Sequence, residues 1–279
     1  MRYQVQAGWY GPLARPGTTH RSVLTTPPRE PPFRKAAHVD TLTTARRLAD
    51  PIGSLGARFM LDRSTFGRCV ELGLPDGMWG YVQGRLGVMG DVSADEAADA
   101  AFFFDRGLIA AGWEADCDLT RSEGGTAYAL VCVERSRTYL DGFEGVERLA
   151  DLLACVLDAA NMSGLALATG WRDAIRPPDA SGRAYLLPQA TRELRLCRHV
   201  LAARAAGVDP MGMVLAVDGE RWTAMHGYQD LSAGPQDDAT RLGVESATDL
   251  ANAADFEVLT PDERAELVSL AETAVAHTT

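Results

Sequence analysis

Lysine is almost absent from this chain of 279 residues. Lys35 is the only lysine, which excludes a catalytic lysine or a Schiff base from the rest of the sequence. Histidine is also scarce, with five residues and no pair at a metal-ligand spacing. We therefore predict that the protein has no metal site.

Cysteine is present at five widely separated positions, with no Cys-x-x-Cys pair: Cys69, Cys117, Cys132, Cys155 and Cys197. This distribution favours free thiols in a reducing cytosol over a disulfide framework or a zinc site. Cys197 and His199 do not form a nucleophile–base pair, because side chains two apart on a helix diverge by roughly 200°.

Long apolar runs are missing as well. No run approaches the roughly 20 residues needed to cross a bilayer. Arg15, His20, Arg21 and several prolines interrupt the N-terminal region, which is unlike a signal peptide. We expect a cytoplasmic protein with no membrane partner. The chain also lacks a Gly-x-Ser-x-Gly elbow, a Walker loop, an HExxH motif and a dinucleotide fingerprint, so we expect no cofactor.

Negative charge is unevenly distributed along the sequence. The whole chain carries −11, but residues 1–38 carry +5, which leaves −16 on the remainder. We interpret residues 1–38, with their many prolines, as a basic N-terminal arm. Because phosphate attraction supplies most non-specific DNA affinity, a body of charge −16 argues against DNA as a partner.

The stretch from Leu74 to Asp116 organises the prediction of the fold. A helical run around Gly80–Arg85 is followed by a turn at Gly90-Asp91 and by a capping box at Ser93 and Glu96. We predict one long second helix from there to about Gly112, which gives a helix-turn-helix unit. That helix is acidic and therefore poorly suited to bind DNA. We expect its Phe102–Phe104 block to be buried.

Two other stretches suggest short β-hairpins. Residues 127–133 are rich in small and β-forming side chains, and Asp218-Gly219 lies between apolar runs within residues 211–228. A helix ending at Asp218-Gly219 is the alternative for the second stretch. A weak similarity between residues 146–153 and 263–270 would suit two similar halves. We divide the chain into the arm (1–38), a first half (39–145) and a second half (146–279).

Three separated segments resemble a known family. GYVQGRLGVMG supplies Gly80, Tyr81, Gly84, Arg85 and Gly90; RELRLCRHV supplies Arg192, Glu193, Arg195 and His199; RLGVESATDLA supplies Arg241, Val244, Glu245, Thr248 and Asp249. They resemble an actinobacterial helix-turn-helix family with MarR-like winged-helix halves, whose members mostly have no assigned role. The resemblance implies a mainly α (α+β) fold, a duplicated winged helix with short β-hairpin wings. This chain departs from the family at Gly53, Leu194 and Leu196–Arg198, where the family has histidine, histidine and Gly-Asp-Gly.

The second segment supplies the candidate chemistry. Arg192, Arg195 and His199 fall at i, i+3 and i+7 on one helical face, where they could hold an anion. The alternative is that both arginines are solvated or pair with nearby acids while His199 is a half-buried histidine. In the functional interpretation His199 moves a proton, Tyr81 donates a hydrogen bond, and Arg85 joins the two arginines in stabilising negative charge.

Aromatic residues complete the candidate site. Trp79, Trp171, Trp222 and Phe103 could form the walls of a pocket, although such residues are more often core. Trp222, Met225, His226 and Tyr228 follow a predicted turn and could border a cavity, although core packing is the more common role.

Our leading hypothesis from the sequence is a cofactor-independent protein that binds or converts an apolar anionic metabolite in specialised metabolism. The scaffold would have lost DNA binding. An enzyme would perform acid/base chemistry such as cyclisation, isomerisation or hydrolysis. The rival hypothesis is a ligand-responsive winged-helix transcription regulator. A third possibility is a structural or partner-binding protein with no pocket, and a homodimer is possible in each case.

Overall fold

The structure is a computed structural model that describes residues 39–278. The arm at residues 1–38, one of the sequence-based predictions, lies outside the described residues. Helices account for nearly all regular structure, with short 3-10 turns at Phe59–Leu61 and Ala254–Val258. The α-helices are α1 (Thr41–Arg58), α2 (Arg63–Glu71), α3 (Gly77–Gly87), α4 (Ala94–Ala100), α5 (Arg106–Glu114), α6 (Arg121–Tyr139), α7 (Val146–Ala159), α8 (Ala166–Asp173), α9 (Ala180–Ala205), α10 (Pro210–Asp218), α11 (Glu220–Met225), α12 (Asp238–Ala253) and α13 (Pro261–Thr278).

Capping side chains fix where several of these helices begin. Ser93 Oγ accepts a hydrogen bond from the backbone N–H of Glu96, and the Glu96 carboxylate accepts one from the N–H of Ser93. Thr260 and Glu263 repeat this arrangement at α13. Each box satisfies backbone donors that a helix start would otherwise leave unpaired. The helix start predicted at Ser93 is confirmed.

The predicted helix-turn-helix outline is present as α3, a turn in which Gly90 has φ +77°, and α4. The prediction of one long second helix is wrong. α4 ends at Ala100, and a new helix begins when Asp105 Oδ1 accepts a hydrogen bond from Leu108 N–H at 2.9 Å. Phe103 and Phe104, in the link between them, are buried as expected, whereas Phe102 is only partly buried. The chain bends there, and both rings lie in the interior.

The predicted β-hairpin wings are also wrong, since residues 39–278 contain no strand. Residues 127–133 belong to α6, which starts behind a capping box at Thr120 and Glu123. Residues 211–228 form α10 and α11, because Asp209 caps a helix with Pro210 in its first turn. Gly219, at φ +77°, ends α10 as the alternative interpretation expected. The fold is thus helical, and duplication of winged halves is not supported.

Helix α9 lies at the centre of the molecule and packs against α1, α6, α7, α8 and α12. Asp179 caps this helix, and Pro188 lies inside it. The main apolar core takes residues from both predicted halves, such as Leu55 and Leu153. The division at residue 145 remains a prediction. A search of residues 39–278 finds no helix whose length and hydropathy would suit a bilayer crossing.

Helices α3 and α6 approach each other closely through glycine. A Cβ added at Gly125 would overlap the backbone of Gly87 and Val88, and one added at Gly87 would lie 2.7 Å from the Gly125 nitrogen. Because both partners are backbone, neither helix could make room without moving as a whole. The position of α3 against α6 therefore depends on these two glycines.

We predict that Gly125→Ala lowers the free energy of unfolding by about 1–3 kcal/mol or more, through overpacking. Gly67→Ala is the matched control, because Gly67 lies in α2 and an added Cβ there meets nothing within 4 Å. It should stabilise the protein by up to about 1 kcal/mol, since alanine favours a helix. Urea unfolding measures both. Similar effects for the two variants would contradict the close approach of α3 and α6.

Candidate functional site

A buried ion pair joins the first two family-like segments. The guanidinium of Arg85 on α3 donates to both carboxylate oxygens of Glu193 on α9, with Nε–Oε1 and Nη2–Oε2 distances of 2.8 Å. The two side chains are only 1% and 0% exposed. This two-point contact fixes the orientation of the planar guanidinium as well as its position.

Two further groups hold the same carboxylate. Arg192 Nη1 and Gln189 Nε2 donate to Glu193 Oε1 at 2.9 and 2.8 Å. Burial alone would raise the pKa of Glu193, but Arg85 and Arg192 outweigh that effect and lower it below its ordinary value. Glu193 is therefore a carboxylate, and we name these four residues the Glu193 cluster.

The third family-like segment meets α9 through a second set of contacts. Arg195 places Nη2 2.6 Å from Glu245 Oε2 and Nη1 2.9 Å from Asp249 Oδ1, both on α12. His199 Nδ1 lies 3.0 Å from Thr248 Oγ1. The residues that resemble the family signature thus form contacts from α3 through α9 to α12.

His199 is buried against this second set. Its ring centroid lies 5.4 Å from that of Phe103. Burial, aided by the charge of Arg195, lowers the pKa of His199 to about 4. The imidazole is therefore neutral near pH 7, and its low pKa makes it a weak base.

A cavity of about 360 Å³ opens beside the first turns of α3. Its lining is mostly apolar or aromatic and includes Ala57, Met60, Phe66, Met78, Tyr81, Phe104, Trp222, Met225 and His226. Arg63 and Asp76, both at its outer edge, also border it. We name it the Tyr81 cavity.

Tyr81 lines this cavity, and its hydroxyl is a notable buried polar group. Its oxygen is buried and has no hydrogen-bond partner within residues 39–278. The Tyr81 ring lies 5.9 Å from that of Phe104 and 5.7 Å from the guanidinium carbon of Arg85. Tyr81 therefore borders both the cavity and the Glu193 cluster.

His226 contributes a second ring to the lining. Its Nδ1 lies 2.8 Å from the Trp222 carbonyl oxygen, and its ring centroid lies 4.2 Å from that of Phe104. The backbone N–H of Asp105 donates to the His226 carbonyl at 2.8 Å, which ties α11 to the start of α5. Burial lowers the pKa of His226 to about 4.

A larger groove of about 780 Å³ lies between α6 and the segment around α8. Ala129 contributes to its apolar lining, and Leu130 and Ile175 are exposed at its border. It shares no lining residue with the Tyr81 cavity. A substitution in this groove can therefore serve as a control for a substitution in the Tyr81 cavity.

The structure distributes the predicted site residues over four places. Tyr81 and Trp222 line the cavity, while Trp79 packs over Gly112. Around Glu193 lie Arg85 and Arg192, and Trp171 Nε1 donates to the Arg85 carbonyl at 3.2 Å. Arg195, His199 and Phe103 meet near α12. The roles assigned to all nine from the sequence remain predictions.

The sequence suggested Trp222, Met225, His226 and Tyr228 as a possible cavity border. The first three line the cavity, and Tyr228 does not. Sequence reasoning assigned no role to Glu193, although the residue stood inside a quoted segment. An acid between two arginines on an apolar helix was the available signal. No local sequence pattern marked the lining residues from α1 and α2, such as Phe66, as part of a cavity.

A family model described as a helix-turn-helix family matches residues 45–233. The chain belongs to this helix-turn-helix family. The match spans α3 and α4 as well as α9, and it carries no information on MarR-like or actinobacterial character. Neither the curated proteins nor the solved structures include a significant match.

We predict that stability falls as pH drops from about 6.5 to about 4, partly because of His199 and His226. Their folded pKa values of about 4 lie below the ordinary 6.5, so the unfolded chain binds protons first. His199→Gln and His226→Gln should each reduce the slope of unfolding free energy against pH by up to about 1.4 kcal/mol per pH unit.

Urea unfolding at several pH values measures this slope. Between pH 7 and 8 neither substitution should change it, because both imidazoles are neutral there in either state. A wild-type slope in both variants between pH 4 and 6 would show that the two rings titrate normally.

Proposed function

We propose that this protein binds an uncharged, largely apolar small molecule in the Tyr81 cavity, on a helix-turn-helix scaffold that does not bind DNA. The observation that carries the proposal is a cavity of about 360 Å³ with a mostly apolar lining that includes Tyr81, whose buried hydroxyl has no hydrogen-bond partner within residues 39–278. Ligand sites are commonly apolar cavities of roughly 300–1,000 Å³ with a few polar groups that orient the ligand. Tyr81 fits that orienting role.

The proposed ligand is uncharged, whereas the sequence led us to expect an anionic metabolite. Arg85 and Arg192 are held by Glu193, and Arg195 by Glu245 and Asp249. An anion would have to compete with carboxylates already in place at close range. A neutral aromatic or alicyclic molecule with one hydrogen-bonding group requires no such displacement.

The acidity of α4 argues against a DNA-reading role for the helix-turn-helix unit. Asp95 and Asp99 lie on this helix, and both form ion pairs with Arg106. An acidic helix would repel the phosphates that flank a major groove. The rival function, a ligand-responsive transcription regulator, is supported by the family match alone.

A further hypothesis is that the protein also converts the bound ligand chemically. His226 and Tyr81 line the cavity, whereas His199 does not. An acid/base reaction in the cavity would therefore use His226 or Tyr81, and His199 would act only through the packing of α9 on α12.

We predict that Ala57→Leu weakens binding of Nile red, an uncharged aromatic dye, by about tenfold or more, because its added carbons enter the cavity. Ala129→Leu is the matched control, since the same change fills the separate groove. Tyr81→Phe should weaken binding by about two- to tenfold through loss of one neutral hydrogen bond. Fluorescence titration of the full chain measures all three.

Native mass spectrometry of protein purified from its host should show a retained molecule that Ala57→Leu displaces. Equal dye affinity in Ala57→Leu and wild type would contradict binding in the cavity. Tight duplex DNA binding that weakens steeply with salt would contradict the loss of DNA binding and favour the regulator.

A further inference from the structure

Gly227 lies just after α11, and the segment before it supplies three lining residues of the Tyr81 cavity: Trp222, Met225 and His226. The backbone of Gly227 has φ +97°, which residues with a Cβ rarely adopt. A Cβ added there would also lie 2.9 Å from Asp105 Cβ and 3.0 Å from Leu108 Cβ. Because those two atoms are bonded to the backbone at the start of α5, they cannot turn away. Conformation and space therefore both require glycine.

The close approach at Gly227 joins the end of α11 to the start of α5. Asp105 caps α5, and its backbone N–H donates to the carbonyl oxygen of His226 at 2.8 Å. The centroid of the Phe104 ring lies 4.2 Å from that of the His226 ring. The glycine contact, the hydrogen bond and the ring contact thus involve consecutive residues on both segments. We name these three contacts the α11–α5 clasp.

Other glycines near α11 share the backbone conformation but not the close contact. Gly219, which precedes α11, and Gly234, in the loop after it, have φ +77° and φ +75°. A Cβ added at either position meets nothing within 4 Å in the described chain. A turn alone explains glycine at these two positions, whereas at Gly227 the neighbouring helix also requires it.

The α11–α5 clasp sets the separation of two parts of the cavity lining. Phe104 and His226 both line the Tyr81 cavity, one from each side of the clasp. Carbon atoms in contact are about 3.5–4.0 Å apart, so a side chain at position 227 would separate α11 from α5 by about 0.5–1 Å. A gap of that size already removes roughly a quarter to a half of the attraction between contacting atoms. A bound ligand would therefore lose contacts on one side.

We propose that Gly227 is a positioning residue for ligand binding in the Tyr81 cavity. It lets α11 close on α5, and this holds Trp222, Met225 and His226 within contact range of a ligand that also touches Phe104. Gly227 does not line the cavity and acts through those side chains. This inference rests on the proposed function, because it concerns the same cavity and the same ligand.

Gly227→Ala should weaken Nile red binding by about tenfold, because a displacement of this size at a binding site is costly. Gly234→Ala is the matched control, since it places alanine in the same kind of backbone without the overlap. It should change the affinity by less than about twofold. Fluorescence titration of the full chain measures both variants, and circular dichroism shows whether each is folded.

Amide hydrogen exchange of Asp105, measured by NMR, tests the clasp directly. The Asp105 N–H should exchange about two- to tenfold faster in Gly227→Ala than in wild type or Gly234→Ala, because its hydrogen bond to His226 is lost. In wild type, saturating Nile red should slow this exchange, because a ligand between Phe104 and α11 stabilises the closed clasp. The wild-type measurement tests the inference even if Gly227→Ala does not fold.

Three results would overturn the positioning role of Gly227. They are unchanged Asp105 exchange in folded Gly227→Ala, unchanged dye affinity in that variant, and bound Nile red that leaves Asp105 exchange in wild type unaltered. A wild type that does not bind Nile red at all would instead overturn the proposed function, and this inference with it.

Discussion

The pairing of Arg85 with Glu193 is the interaction on which the rest of this structure depends. It joins α3, the first helix of the helix-turn-helix unit, to α9, the central helix of the fold. Removing two charges from water is costly, so such a pair persists only with good geometry and satisfied neighbours. Arg192 and Gln189 supply those neighbours. The result is a two-point side-chain link between α3 and α9.

The Tyr81 cavity lies next to that link. Tyr81 precedes Arg85 by one helical turn, so the contact that anchors Arg85 also sets the depth of the Tyr81 ring. Phe104 packs against the Tyr81 ring from the link between α4 and α5, and His226 packs against Phe104 from the end of α11. A helix-turn-helix unit fixed to the interior in this way serves as a cavity wall. Its acidic helix α4 keeps its carboxylates at the surface.

Local sequence predicted local structure well and long-range pairing poorly. The capping boxes at Ser93 and Thr260 were readable because their partners lie three residues apart. Residues 127–133 were misassigned because β-forming side chains were weighed without the capping box that starts α6. The partner of Arg85 lies 108 residues away, and no spacing rule reveals it. The sequence correctly suggested Trp222 and Met225 as a cavity border, but not Phe66 from α2.

A double-substitution cycle on Arg85 and Glu193 tests the central claim most directly. Glu193→Leu should lower the free energy of unfolding by about 3–5 kcal/mol, because it leaves the buried Arg85 guanidinium without its carboxylate. Arg85→Met should lower it by a smaller amount, because Arg192 still pairs with Glu193. The double variant should lose clearly less than the sum of the two. Single variants as stable as wild type, or losses that simply add, would show that the pair does not hold α3 to α9.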